Sequence, residues 1–214
     1  MKRIYLHPIP VRIWHWINAI CFVILIITGL QIRWIDKMGL MSFQTAVKIH
    51  SWTGFILLAN YFIWFLYYFI TLKFFKIYLP PFWRPIEFTK RALRQARYYG
   101  FGIMIGDKNP HHPTPENKFN PMQQVAYLTI MIVLIPLQIL TGLVLWDPVK
   151  FSFLEKILGG IQIVSLIHVA LWIFFSAFII VHIYLATLGH TPLAHFIAMI
   201  TGYEEEPEEH EELH

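Results

Sequence analysis

Apolar residues in this chain neither alternate nor keep to one helical stripe. They run in four long blocks separated by charge, at about residues 13–32, 46–72, 122–146 and 161–188. Each block is long enough for a helix to cross a bilayer core, which takes about 20 residues. Helices apolar on every side have no place on the surface of a soluble domain. The pattern predicts an all-α membrane protein, a bundle of four transmembrane helices forming one domain over residues 1–203. The first block is longer than a signal-peptide core and no A-x-A site follows it, so it reads as a retained helix. Pro136 inside the third block predicts a kink. Trp14, Trp16, Trp34, Trp52 and Trp146 fall near block ends, where interfacial belts form.

Composition sharpens this reading. The 214 residues are 57% hydrophobic and 14% charged, against about 25% charged in soluble domains. The formal charge of +4 does not mark a nucleic-acid partner, because its distribution follows membrane topology. Lys2, Arg3 and Arg12 lie at the head, and nine Lys and Arg lie between the second and third blocks. The opposite side holds five, namely Arg33, Lys37, Lys48, Lys150 and Lys156. Twelve against five places both termini and the middle loop in the cytoplasm. Within that loop, Pro85–Tyr99 predicts an amphipathic helix carrying Lys90, Arg91, Arg94 and Arg97. Lying on the anionic membrane surface is favoured for it over docking a cytoplasmic partner. Seven glutamates mark residues 204–214 as an acidic, solvated, disordered tail. The single cysteine, Cys21, leaves no disulfide framework, no Fe–S ligand set and no C-x-x-C-H site for covalent haem.

Histidine carries the candidate chemistry. His168 and His182 stand fourteen residues apart in the fourth block. Fourteen steps of about 100° return to nearly the same side of a helix, with a rise of roughly 21 Å. Ionisable groups at such depths need a partner. Following the four helices through the bilayer puts His50 level with His168 and His15 level with His182. Two level-matched imidazole pairs from facing helices are how a bundle holds haem b twice. Hydrogen bonding between helices, or a place in a proton pathway, is the alternative for any one of them. Gly29, Gly54 and Gly142 would let a flat macrocycle approach the backbone, although glycine serves plain helix packing equally well. Arg12 and Lys48, close to His15 and His50, are candidates for pairing haem propionates, and topological bias accounts for them as well. At the inner end of the third block Asn120, Gln123 and Gln124 could donate to a quinone carbonyl or simply start the helix. His111, His112, His210 and His214 read as surface residues, and for His190 and His195 a solvated place at the cytoplasmic face is favoured over approaching a bound quinone or helping to move protons.

Taken in order, several segments resemble the cytochrome b561-like subunits of bacterial respiratory complexes. They are His7-Pro-Ile-Pro-Val-Arg-Ile-Trp-His-Trp16, His50-Ser-Trp-Thr-Gly54, Lys118-Phe-Asn-Pro-Met-Gln123, His168 with His182, Gly189-His-Thr-Pro-Leu-Ala-His195 and Met199-Ile-Thr-Gly-Tyr203. The thiosulfate reductase cytochrome b subunit is most similar, beside the formate dehydrogenase gamma subunit and the Ni-Fe hydrogenase b-type cytochrome. The resemblance implies a bacterial inner-membrane protein with two haems b and exchange with menaquinone or ubiquinone near the cytoplasmic-side haem. It implies a quinone pocket formed by His182 and an Asn-x-Gly-Gln element. Asn120 and Gln123 match that element, while Met122 stands where its glycine would be.

The short loops 33–45 and 147–160 cannot form a catalytic domain, so the expected partner is a periplasmic Fe–S or multihaem c-type cytochrome subunit. The chain is then an electron-transfer subunit, and the thiosulfate reductase resemblance implies quinol oxidation. A haem-bearing anchor or sensor without quinone turnover is the first alternative. A histidine-based metal or proton transporter is the second, disfavoured because none of the thirteen acidic residues lies in a predicted span.

Overall fold

The computed structural model describes residues 2–111, 113–114, 117–189 and 191–206. Strand β1 (Lys2–Tyr5) leads into α1 (Ile9–Arg33), where Pro10 enters the first turn at no cost in hydrogen bonds. A short α2 (Ile35–Met38) turns the chain into α3 (Phe43–Ile70), capped by the Ser42 hydroxyl on the Thr45 N–H. After α4 (Lys73–Ile77) come α5 (Pro85–Gly100) and a single 3₁₀ turn at Gly102–Ile105. The third long helix is built as α6 (Pro121–Thr129), a π turn (Ile130–Leu134) and α7 (Ile135–Trp146). Then follow α8 (Ser152–Ile157), α9 (Ile161–Ala186), α10 (Ala194–Thr201) and β2 (Tyr203–Glu206).

Four helical stretches are long and apolar enough to cross a membrane: Ile9–Arg33, Phe43–Ile70, Pro121–Trp146 and Ile161–Ala186. They agree with the predicted blocks to within about four residues at each end. α1 packs along α3 and α7 along α9, while α3 meets α7 and α1 meets α9, closing a ring of four. The outside is apolar: Ile13, Ile17, Ile20 and Ile27 of α1 and Ile173, Ile180 and Ile183 of α9 are exposed. Inside lie Thr28, Gln31, Thr53, Asn60 and Thr141. This inversion of the soluble pattern suits hydrocarbon, where polar groups must find partners within the bundle.

The kink expected at Pro136 takes the form of the π turn just before it. Proline has no N–H for the carbonyl one turn back and its ring crowds that carbonyl, and a widened turn relieves both problems. At the other end of α3, Trp64 is buried among Tyr68, Phe74 and Tyr78 and donates its indole N–H to the Tyr78 hydroxyl (3.1 Å). This aromatic knot fixes the end of the bundle where α3 finishes.

One expectation needs correcting at its boundary. The acidic segment was expected to be disordered from Glu204, yet Glu204–Glu206 belong to β2 and pair antiparallel with β1. Basic and acidic ends attract: Arg3 bonds Glu205 at 2.7 Å, and the Tyr5 and Tyr203 rings meet at 5.1 Å. The two strands clasp the head of the chain to the segment after α10. Residues 207–214, including His210 and His214, and also His112 and His190, lie outside the described residues. His111 is half-buried, so it is not the surface residue expected, and its backbone N–H donates to Asn109 Oδ1 (3.1 Å).

Candidate functional site

The ring of helices brings the four intramembrane histidines together two by two, as their depths predict. His50 of α3 faces His168 of α9 with ring centres 6.3 Å apart. His15 of α1 faces His182 of α9 at 6.2 Å. A metal bonded to one nitrogen of each ring at about 2.0–2.1 Å would set the centres roughly 6 Å apart. Among the described residues no three His, Cys, Asp or Glu side chains converge on one point. Each pair thus offers two donors on opposite sides and none around the equator. That donor set is incomplete for a bare ion and suits a macrocycle that brings its own four nitrogens.

Proton placement at the outer pair follows from counting hydrogens. The Thr28 hydroxyl lies 2.8 Å from His50 Nδ1 and 2.7 Å from the Ile24 carbonyl. A hydroxyl has one hydrogen, and the carbonyl can only accept it, so the hydroxyl oxygen accepts from Nδ1–H of His50. Thr141 repeats the arrangement, 2.8 Å from the Leu137 carbonyl and 3.0 Å from His168 Nδ1. Nδ1 carries a hydrogen in both imidazoles, which leaves Nε2 as the nitrogen available to a metal, the arrangement that an outer-shell partner imposes on a metal-binding histidine. His168 Nε2 is approached only by the Gln138 amide nitrogen at 3.3 Å, and Gln138 Oε1 is buried without a hydrogen bond.

Glycine gives these rings their room. A Cβ on Gly142 would stand 3.3 Å from His168 Cε1, and one on Gly29 would stand 3.2 Å from Trp172 Nε1 and 3.7 Å from His50 Cε1. Around Gly54 nothing lies within 4 Å, leaving an open approach one turn from His50. Sequence reasoning missed Thr28, Thr141, Gln138 and Trp172. A signal was present: Thr-Gly occurs at 28–29, 53–54 and 141–142, once in each of three spans.

The inner pair is braced differently. His15 sits edge-on to Trp16 and its Nδ1 is buried without a hydrogen bond, while His182 stacks on Phe178 at 5.6 Å. Trp16 donates to the Met199 carbonyl (3.1 Å), tying α1 to α10. Arg12 donates to the Ile200 carbonyl, so this propionate candidate has a folding partner, and Lys48 is exposed in the first turns of α3.

The amide cluster starts a helix. Asn120 caps α6 by accepting the Gln123 N–H (2.9 Å), and Gln123 Oε1 accepts the Asn120 N–H (3.0 Å). Asn120 Nδ2 donates to the Tyr99 hydroxyl (3.1 Å), and Gln124 Nε2 donates to the Ile77 carbonyl (3.3 Å). Asn120→Ala is expected to lower stability by about 1–2 kcal/mol, which a thermal melt in detergent measures. An unchanged midpoint would contradict the capping role.

Outside the spans, four further polar side chains gather beside the inner pair. Lys118 Nζ lies 2.8 Å from His7 Nδ1. Burial, then the Lys118 charge, holds His7 down at about 3, and burial lowers Lys118 to about 8. His195, expected to be solvated, lies 3.3 Å from Glu204 and is raised above 6.5, chiefly by that bond. The two histidines act on stability with opposite sign. The unfolded chain protonates His7 near 6.5 and the folded chain only near 3, so its contribution is lost as pH falls through that window. The His195 contribution is present below 6.5 and lost as pH rises through its raised value. The N–H groups of Leu6 and His7, both bonded to the Gly202 carbonyl, report on the clasp. Their hydrogen exchange, corrected for intrinsic rates, is expected to speed up on acidification from about pH 6 towards 3. Flat protection would contradict this account.

Comparison with known proteins gives a consistent picture. Residues 6–202 match the family model described as prokaryotic cytochrome b561. A cytochrome named YdhU from Escherichia coli (strain K12) is 36% identical over 94% of this chain and 75% of its own length. A protein-methionine-sulfoxide reductase subunit named YedZ1 from Azospira oryzae is 28% identical over 94% of this chain and 99% of its own. The formate dehydrogenase cytochrome b556 subunit of Haemophilus influenzae is 28% identical over 86% and 71%. No solved structure matches.

Proposed function

The chain belongs to the prokaryotic cytochrome b561 family, and from that premise we propose that it is a dihaem membrane subunit linking the quinone pool to a periplasmic redox partner. The observation that carries this is the two imidazole pairs, with ring centres 6.2 and 6.3 Å apart, one towards each end of α9. His50 and His168 hold the outer haem b, and His15 and His182 the inner one. Haem b, when bound, supplies one-electron exchange at each end of the bundle. The protein's residues orient and insulate. Thr28 and Thr141 fix the outer imidazoles as Nε2 donors. Gly29, Gly54 and Gly142 keep the approach to the rings free. The apolar helices exclude water, so charge inside them is felt strongly.

Menaquinone or ubiquinone exchanges at the inner end, beside His182 and the amides of Asn120, Gln123 and Gln124, and quinol is oxidised there. The excess of Lys and Arg around α5 supports a cytoplasmic inner end, with both termini on that side of the bacterial inner membrane. On α5 the exposed Ile86 and Leu93 lie among those cations and suit the anionic lipid surface. The names of the relatives point to a catalytic subunit as partner, and the short outer loops leave its Fe–S or multihaem centre to another chain.

One observation favours a second reading, a haem-bearing anchor without quinone turnover: Asn120 and Gln124 are buried and already hydrogen-bonded. Anaerobic mixing of the haem-loaded protein with a water-soluble quinol separates the two. The first reading expects the visible bands of the reduced haem to appear within seconds. No reduction by quinol, alongside full reduction by dithionite, would leave the anchor.

A further inference from the structure

A charged group withdrawn from water needs a partner within reach, and the partner's chemistry tells what the cluster can do. The Lys118 side chain is half-buried beside the inner pair. It has hydrogens to give and no lone pair, so His7 Nδ1 accepts from it across 2.8 Å and His7 is neutral. The Glu204 carboxylate acts on the same ammonium and also lies 3.3 Å from His195 Nδ1. The charge on Lys118 reaches His15 as well. These four side chains come from four separate places: the segment before α1, the segment before α6, β2 and α10.

Two features separate this cluster from an anion-binding site. The Glu204 carboxylate lies within it and would repel an anion. Its exposure is also uneven: the Glu204 side chain is 14% exposed and the His195 side chain 40%. Lys118 donates to His7, the Glu204 charge reaches Lys118, and Glu204 bonds His195, whose side chain opens to solvent.

We infer that Lys118, His7, Glu204 and His195 form a proton-release relay serving the quinol oxidised beside His15 and His182. This rests on the quinol-exchange reading above. Oxidation breaks both O–H bonds of the quinol and yields quinone, two electrons and two protons. The electrons leave towards the periplasmic Fe–S or multihaem acceptor. Each proton passes to the Lys118–His7 pair as Lys118 gives its own proton, through a bridging water, to Glu204, and His195 then delivers that proton to solvent. Lys118, close to 8, and His195, above 6.5, lie near enough to neutrality to load and unload.

The test uses stopped-flow reduction of the haem-loaded full chain, by a water-soluble quinol and by dithionite, which gives electrons without the quinol's protons. In Glu204→Gln the quinol-driven rate is expected to fall about 100-fold, with the dithionite rate and spectrum unchanged. Added imidazole or azide, small proton carriers, should restore part of the rate, and Glu204→Asp should keep most of it. Lys118→Met should show the same selective loss. A merely structural clasp would slow both reductants and ignore the carriers, and that result overturns the relay. Quinol-driven reduction at the wild-type rate in both variants also overturns it while leaving quinol exchange standing. A wild-type protein that dithionite reduces and quinol does not would overturn quinol exchange, and the relay with it.

Discussion

Replacing His168 with alanine is expected to remove about half of the bound haem and leave the other half with its spectrum intact. The reasoning is geometric. His168 meets His50 across 6.3 Å, and its Nδ1–H is already committed to Thr141, so only Nε2 is left to bind a metal. Alanine removes that donor and leaves His50 as the single imidazole of its pair. His182→Ala should remove the other half, because its contact is with His15 at the opposite end of α9. Histidines that merely hydrogen-bond between helices would give another outcome. Their loss would lower stability by about a kcal/mol and leave the visible bands untouched. Pigment extracted from each variant and measured against protein decides between the two.

Thr141→Val should produce the next largest effect, and a more selective one. Valine matches threonine in shape, so the packing between α7 and α9 survives. What disappears is the acceptor for His168 Nδ1–H, leaving a buried donor unpaired and the ring free to turn or change tautomer. Outer-shell partners of metal-bound histidines are worth about 10–100-fold in affinity. The variant should therefore lose its outer haem that much more readily when challenged with a haem-scavenging apoprotein. Among the described residues no hydroxyl bonds the inner pair, which should keep its haem at the wild-type rate. Equal loss from both sites would contradict the role given to Thr141.

These effects trace to features of unequal legibility in the sequence. The four spans are plain because apolar blocks of membrane length have few other uses. The histidine pairs are plain too, since two residues fourteen apart on one helix fix two depths and leave one pairing for each. The threonine braces are harder to see. Thr28 and Thr141 lie in spans without histidine or distant from it, and only the folded ring of helices shows which imidazole each one meets. The repeated Thr-Gly pair is the trace they leave. Asn120 and Gln123 had two chemically sound readings, and the structure puts them to work as a capping box. Asparagine followed by proline, with glutamine three positions on, is itself the signature of such a cap. The clasp was obscured because glutamate runs usually stay solvated, whereas Lys2 and Arg3 lie at the far end of the chain from their acidic complement. Lys118 and His7 lie more than a hundred residues apart, and no local pattern joins them.

The central claim is that iron porphyrin is gripped twice, once near each membrane face. The pyridine haemochrome spectrum of the purified chain, read against its protein content, tests it most directly. Two non-covalent b-type haems per polypeptide is the predicted result. A single haem, or none after expression with ample haem supply, would contradict it.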